Sequence, residues 1–110
     1  MGREKGKHTS AWKEHERATA RALGGTRTGN RGRAAADVTS SWCVVECKER
    51  AALPQWLTGA MRQAEDAAMR YTSPRLPLLV LHEKGGRRAD DLVIMRLSEF
   101  RSWYGDWRGD

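Results

Sequence analysis

The chain has 110 residues, of which 39% are hydrophobic and 31% are charged. This composition is typical of a single soluble domain with a modest core, and no apolar run approaches the ~20 residues that a membrane-spanning helix needs. The formal net charge of +6 favours a polyanionic partner, although charge alone does not separate nucleic acid from other anions.

The first third of the chain predicts one helix between two basic segments. Residues 1–9 are polar and basic and predict a flexible arm, with no apolar stretch after it that would indicate a secretory signal. A helix is expected to begin at the N-cap residue Ser10 and to end at the glycine pair 24–25. Residues 26–33 are rich in Gly and Arg and predict a mobile basic loop.

The remaining predicted elements alternate between strands and helices. In chain order they are the strands Ala34–Val38 and Trp42–Lys48, a helix from Pro54 to about Tyr71, the strands Leu78–His82 and Leu92–Leu97, and a short helix capped by Ser98. The order α-β-β-α-β-β-α predicts one α/β domain over residues 10–104 and a loose tail over 105–110. We expect Trp42 and Trp56 in its core.

Asp37 is followed nine residues later by Glu46-Cys47-Lys48. On a strand, Glu46 and Lys48 point to the same face, and Asp37 at the end of the preceding strand can turn its carboxylate toward them. The two carboxylates and the backbone carbonyl of Cys47 offer oxygen ligands to Mg²⁺. Lys48 can orient the attacking water and offset charge on the phosphate. The spacing therefore predicts a metal site that hydrolyses phosphodiesters, although the same pattern also arises by chance on solvated strands.

Two helical residues complete the predicted site. Glu16 on the first helix reaches the metal through a bound water, and Gln63 on the second helix hydrogen-bonds Lys48 or the attacking water. Glu14 is a rival to Glu16 and lies on a different helical face. We prefer Glu16 because Arg17 follows it directly.

Basic, aromatic and thiol side chains bear on partners and compartment. Five basic residues are expected to contact DNA phosphates, with a merely solubilising role as the alternative: Lys5, Lys7, Arg27, Arg31 and Arg33. Aromatic residues near the C-terminus are candidates for a dimer surface: Trp103, Tyr104 and Trp107. Cys43 and Cys47 stand apart from any second cysteine pair or histidine cluster, so we expect reduced, buried thiols in a cytoplasmic protein and no zinc site.

Together these features resemble the PD-(D/E)XK nuclease superfamily, and within it the small nucleases related to archaeal-type Holliday-junction resolvases, including phage forms. The resemblance covers most of the predicted domain and rests on four short segments: Glu16-Arg17, Ala36-Asp37-Val38, Val45-Glu46-Cys47-Lys48 and Gln63-Ala64. Ala36 replaces the proline that names the motif. Thr26 and Thr28 are the hydroxyl residues of the loop in which resolvases often carry a catalytic serine.

The resemblance implies a restriction-endonuclease-like α/β fold with a central mixed four-stranded sheet flanked by helices. It implies a catalytic site of Glu16, Asp37, Glu46, Lys48 and Gln63, with Mg²⁺ as cofactor and Mn²⁺ as a substitute. The expected protein is a homodimeric endonuclease that makes paired nicks in four-way DNA junctions, in the host cytoplasm if a phage encodes it. Two alternatives stay open: a related nuclease acting on flaps, forks or nicks, and a basic DNA-binding module without chemistry.

Overall fold

A computed structural model describes residues 2–28 and 36–105, with side chains from residue 11 onward. These residues form three α-helices, one 3₁₀ turn and five short strands, which confirms the small α/β class. They divide into two compact units, one ending at Arg50 and the other spanning Ala51–Gly105. The single domain over residues 10–104 stays a prediction, because such a division can run through one domain as well as between two.

The first unit is a three-stranded antiparallel sheet covered by one helix. Its elements are α1 (Gly2–Leu23), β1 (Thr26–Arg27), β2 (Val38–Thr39) and β3 (Val44–Val45). β2 is the central strand, where Val38 lies opposite Arg27 on one side and Val45 on the other. α1 packs against β1 and β2. The interior consists of Ala20, Val38 and Cys47, with Val45 packed against them.

Local hydrogen bonds fix the two turns of this unit. α1 ends where Gly24 adopts a φ of 69° and the N–H of Gly25 donates to the carbonyl of Ala20 at 2.8 Å, a common way to end a helix. Between β2 and β3, the N–H of Ser40 donates to the carbonyl of Cys43 at 2.9 Å. The Ser40 hydroxyl in turn accepts the N–H of Cys43 at 3.2 Å. The second turn holds the register of the β2–β3 pair.

The second unit is a β-hairpin packed on a helix. Its elements are α2 (Gln55–Ala68), β4 (Leu79–Leu81), the 3₁₀ turn Arg88–Asp90, β5 (Leu92–Ile94) and α3 (Leu97–Tyr104). β4 and β5 are antiparallel with Val80 opposite Val93, and α2 packs against β4. α2 follows Pro54, whose carbonyl accepts the N–H of Leu57 at 3.1 Å. Met61 faces the interior and is 5% exposed.

Several predicted boundaries differ from the structure. α1 begins at Gly2 and not at Ser10, because the basic segment before Ser10 is rich in Lys, Arg and Glu, which favour helix. Thr26 and Arg27 form a strand where a loop was predicted, since both pair with β2. The described strands form one three-stranded sheet and one two-stranded sheet. They do not form the central four-stranded sheet that was expected. The predicted tail beyond Gly105 lies outside the described residues.

Two tryptophans that were expected in the core lie at the surface. Trp42 is 39% exposed and Trp56 is 60% exposed. The indole N–H of Trp42 donates to the carbonyl of Leu23 at 3.0 Å, so this ring lies across the end of α1. A large aromatic side chain can pack with one side against the protein and the other in water. Among the described helices, none is long and apolar enough to cross a membrane.

Candidate functional site

Asp37 is held against the segment that carries Glu46 and Lys48. It directly precedes β2, and its N–H donates to the carbonyl of Val45 at 2.9 Å. Its carboxylate continues the pairing where the regular ladder stops, because Oδ2 accepts the N–H of Cys47 at 2.7 Å. The two parts of the Asp37…Glu46-Cys47-Lys48 pattern therefore meet in space, joined through the residue between Glu46 and Lys48.

Glu16 brings a second carboxylate to this place from α1. It is 1% exposed, and its Oε1 accepts the Nε–H of Arg27 at 2.6 Å. Its Oε2 is buried and has no hydrogen-bond partner among the described residues. The rival Glu14 lies in solvent, where Oε2 pairs with the guanidinium of Arg21 at 3.0 Å. The structure thus distinguishes the two glutamates by burial.

The thiol of Cys47 is buried and is influenced by the charges of the three carboxylates. Cys47 is 5% exposed, and burial raises the pKa of its thiol, while a side-chain hydrogen bond with Thr19 acts in the opposite direction. The negative charges of Asp37, Glu16 and Glu46 raise the pKa of the Cys47 thiol further. The carboxylates of Glu16 on α1, Asp37 just before β2 and Glu46 just after β3 therefore all act electrostatically on this thiol. The second cysteine, Cys43, is also a free thiol but is half-buried.

Glu46 and Lys48 form the solvent-facing part of the candidate site. Lys48 Nζ lies 3.1 Å from Glu46 Oε2, and the two side chains are 65% and 60% exposed. β3 ends at Val45, so both residues follow the regular strand. An ion pair this open to water contributes little to stability. Its ammonium and carboxylate are therefore accessible to an incoming ligand.

The donor atoms fit a hard divalent cation, although they are not gathered around one. Within residues 11–28 and 36–105, no group of three or more His, Cys, Asp or Glu side chains lies close enough to hold a metal ion. Asp37, Glu46 and Glu16 instead engage a backbone N–H, an ammonium and a guanidinium. All three offer oxygen, the donor that Mg²⁺ and Mn²⁺ prefer. Among the described residues, Oε2 of Glu16 is a buried donor oxygen without a hydrogen-bond partner.

The five basic residues that were expected to contact DNA lie in different places. Arg27 pairs with Glu16, and its side chain is 22% exposed; its phosphate contact stays a prediction. Arg31 and Arg33 lie outside the described residues. Lys5 and Lys7 lie on the helical backbone of α1, and their phosphate contacts stay predictions.

The remaining predicted site residues have these positions. Gln63 is exposed on α2 in the second unit, and its approach to Lys48 stays a prediction, as does the ligand role of the Cys47 carbonyl. Thr28 hydrogen-bonds through its hydroxyl to the carbonyl of Ala36. Its N–H also donates to the carbonyl of Asp37 at 3.0 Å. Thr28 therefore links the end of β1 to Ala36 and Asp37, the two residues that precede β2.

Sequence reasoning missed the contact between Arg27 and Glu16. Arg27 was grouped with the loop arginines, because nothing in the local pattern separates it from them. Its register opposite Val38 is what carries its side chain to α1.

Comparison with models of protein families, with curated proteins and with solved structures found no match for this chain.

Proposed function

We propose that the protein is a Mg²⁺-dependent DNA endonuclease of the PD-(D/E)XK kind. The observation that carries this assignment is that Asp37 is hydrogen-bonded to the Glu46-Cys47-Lys48 segment, where its Oδ2 accepts the N–H of Cys47 at 2.7 Å. The two parts of the Asp37…Glu46-Cys47-Lys48 pattern therefore lie together at one end of the β2–β3 pair, and Glu16 on α1 adds a carboxylate that is 1% exposed. Negative charges held together in a partly buried place favour a cation.

Each residue then has a role that follows from its position. Asp37 and Glu46 provide oxygen ligands at the end of the sheet, and the buried Glu16 provides a third from α1. Lys48, with its exposed ammonium, stabilises negative charge on the phosphate and orients water. The cation, when bound, supplies Lewis acidity toward the phosphodiester. Gln63 is assigned the orienting role that the resemblance gives it.

The DNA partner and the wider architecture are also part of what we propose. A net charge of +6 suits a polyanion, and the phosphate contacts are assigned to the five basic residues predicted above: Lys5, Lys7, Arg27, Arg31 and Arg33. The preferred substrate is a four-way junction nicked by a homodimer.

A non-catalytic DNA-binding module is the second candidate. It is favoured by the observation that Glu16 and Glu46 already pair with basic side chains, Arg27 and Lys48. Charge pairs of this kind also occur in folds without chemistry. The nuclease would cleave DNA strands in the presence of Mg²⁺, whereas the non-catalytic module would bind DNA without cleaving it.

A Mg²⁺ titration against labelled DNA separates these functions. A four-way junction, a flap and a linear duplex are incubated with the protein at one fixed salt concentration, because phosphate-driven binding weakens steeply with salt. We expect paired nicks in the junction that require Mg²⁺ or Mn²⁺ and disappear with a chelator. Preferred cleavage of the flap indicates a related nuclease of other specificity. Binding without cleavage of any substrate at any metal concentration rejects the nuclease and supports the non-catalytic module.

A further inference from the structure

The carboxylate of Glu16 has two oxygens in different situations. Oε1 accepts the Nε–H of Arg27 at 2.6 Å. Oε2 is buried and unpartnered within the described residues. Burying a carboxylate oxygen without a partner is unfavourable, and each such oxygen in a folded protein calls for an explanation. One oxygen of Glu16 is therefore bound within the protein, whereas the other is available to a ligand.

Arg27 is itself fixed next to the candidate site. Arg27 lies on β1 opposite Val38, the residue that follows Asp37. The N–H of the next residue on β1's side, Thr28, donates to the carbonyl of Asp37 at 3.0 Å. The guanidinium therefore ties the carboxylate of α1 to the strand pair that carries Asp37. Because Arg27 engages one oxygen of Glu16, it also fixes the direction of the other.

We propose, on the basis of the function assigned above, that Arg27 is a positioning residue of the cation site. Its guanidinium holds Oε1 of Glu16, so that Oε2 stays available to a divalent cation, which Asp37 and Glu46 would bind once it draws the three carboxylates together. Groups that orient a metal ligand by hydrogen bonding affect metal affinity without touching the metal. Arg27 thus acts on the cation through Glu16 and does not touch the cation itself.

The test is Mn²⁺ binding to the protein without DNA, measured by electron paramagnetic resonance. Arg27→Met is expected to weaken binding by about tenfold, as is typical when such an orienting group is lost. Arg27→Lys keeps the charge but not the planar Nε–H donor, so we expect an intermediate loss of about threefold. The matched control is Arg21→Met, which removes an exposed arginine of α1 that pairs with Glu14 and should leave Mn²⁺ affinity unchanged.

A double substitution shows whether Arg27 acts through Glu16. If it does, Arg27→Met has no further effect on Mn²⁺ affinity once Glu16→Gln is present, whereas independent contributions would add. Additive losses would overturn the assignment, as would wild-type affinity in Arg27→Met. If Arg27→Met does not fold by circular dichroism, Arg27→Lys decides, and unchanged affinity there rejects the assignment.

The outcomes for Arg27 and for the nuclease are distinguishable. Mn²⁺ binding by the wild type that is lost in Asp37→Asn supports the metal site whatever Arg27 does. Wild-type affinity in Arg27→Met would then reject the positioning role alone. An absence of Mn²⁺ binding by the wild type would reject both the metal site and the role of Arg27.

Discussion

In the first unit a carboxylate, Glu16, lies in the interior close to Val38 and Cys47, whereas the buried side chains described in the second unit are Met61 and Pro77. In the second unit the pair of Arg96 with Glu65, at 2.5 Å, lies at the surface, and Asp91, which pairs with His82, keeps 13% of its side chain exposed. Burying a charge is unfavourable unless it is paired and hydrogen-bonded. The difference indicates that packing dominates the second unit, while the first combines packing with a charged interior that serves a site.

Among comparisons of matched positions, replacing each of two glutamates on α1 gives the largest expected difference. Glu16→Gln removes a buried ligand charge, so we expect Mg²⁺-dependent cleavage of a four-way junction to fall by about 100-fold. Glu14→Gln, two positions away and exposed with its partner Arg21, should leave the rate unchanged. Equal rates for the two variants, both folded, would mean that burial on α1 does not mark the site.

Two glycines should respond in opposite directions to the same substitution. A Cβ at Gly25 would lie 2.7 Å from the carbonyl oxygen of Thr39 and 2.9 Å from Cγ1 of Val38, so Gly25→Ala is expected to destabilise the protein by about 3 kcal/mol. Gly59 in α2 has nothing within 4 Å of that position. Gly59→Ala should therefore stabilise by about 0.5–1 kcal/mol. Urea unfolding measures both, and a loss of stability in Gly59→Ala would contradict the open surroundings of that helix position.

A pair of valines in strands compares the interior of the first sheet with the surface of the second. Val38 is 0% exposed and Val80 is 54% exposed. Val38→Ala should lower the free energy of unfolding by about 2 kcal/mol, because it removes two methyl groups from the interior. Val80→Ala should change it by about 0.5 kcal/mol or less. Similar losses at both positions would show that the exposed face of the β4–β5 hairpin is covered in solution.

The smallest effect is expected at the surface pair of the second unit. The hydrogen bond with Arg96 lowers the pKa of Glu65 below its usual value. A pKa lowered in the folded state adds stability above the unfolded pKa, and this is lost as the pH falls through the folded pKa. Arg96→Met should thus be slightly less stable than the wild type at neutral pH and equally stable in strong acid. A difference that persists unchanged in acid would assign the effect to packing.

Local patterns in the sequence predict most of the second unit. Pro54 and the apolar spacing after it indicate α2, found at Gln55–Ala68, and two apolar runs indicate the hairpin of β4 and β5. These signals are local, because helix periodicity and β-branched runs act over a few residues. The α/β class and the order of the predicted helices follow from them.

The first unit depends on pairings that local patterns do not encode. β1 has two residues, Thr26 and Arg27, and is a strand because β2 lies beside it. The meeting of Asp37 with the Glu46 segment was anticipated, since a hairpin brings its two ends together. The pairing of Arg27 with Glu16 was not, because it joins residues of different elements. The exposure of Trp42 and Trp56 likewise depends on tertiary packing.

The central claim is that Asp37 and Lys48 belong to a site that hydrolyses DNA. The most direct test compares wild type, Asp37→Asn and Lys48→Ala in the cleavage of a labelled four-way junction with Mg²⁺ at fixed salt, with junction binding measured in parallel. We expect each variant to lose about 10³-fold in cleavage while binding stays close to that of the wild type. Cleavage retained by both purified variants would contradict the account.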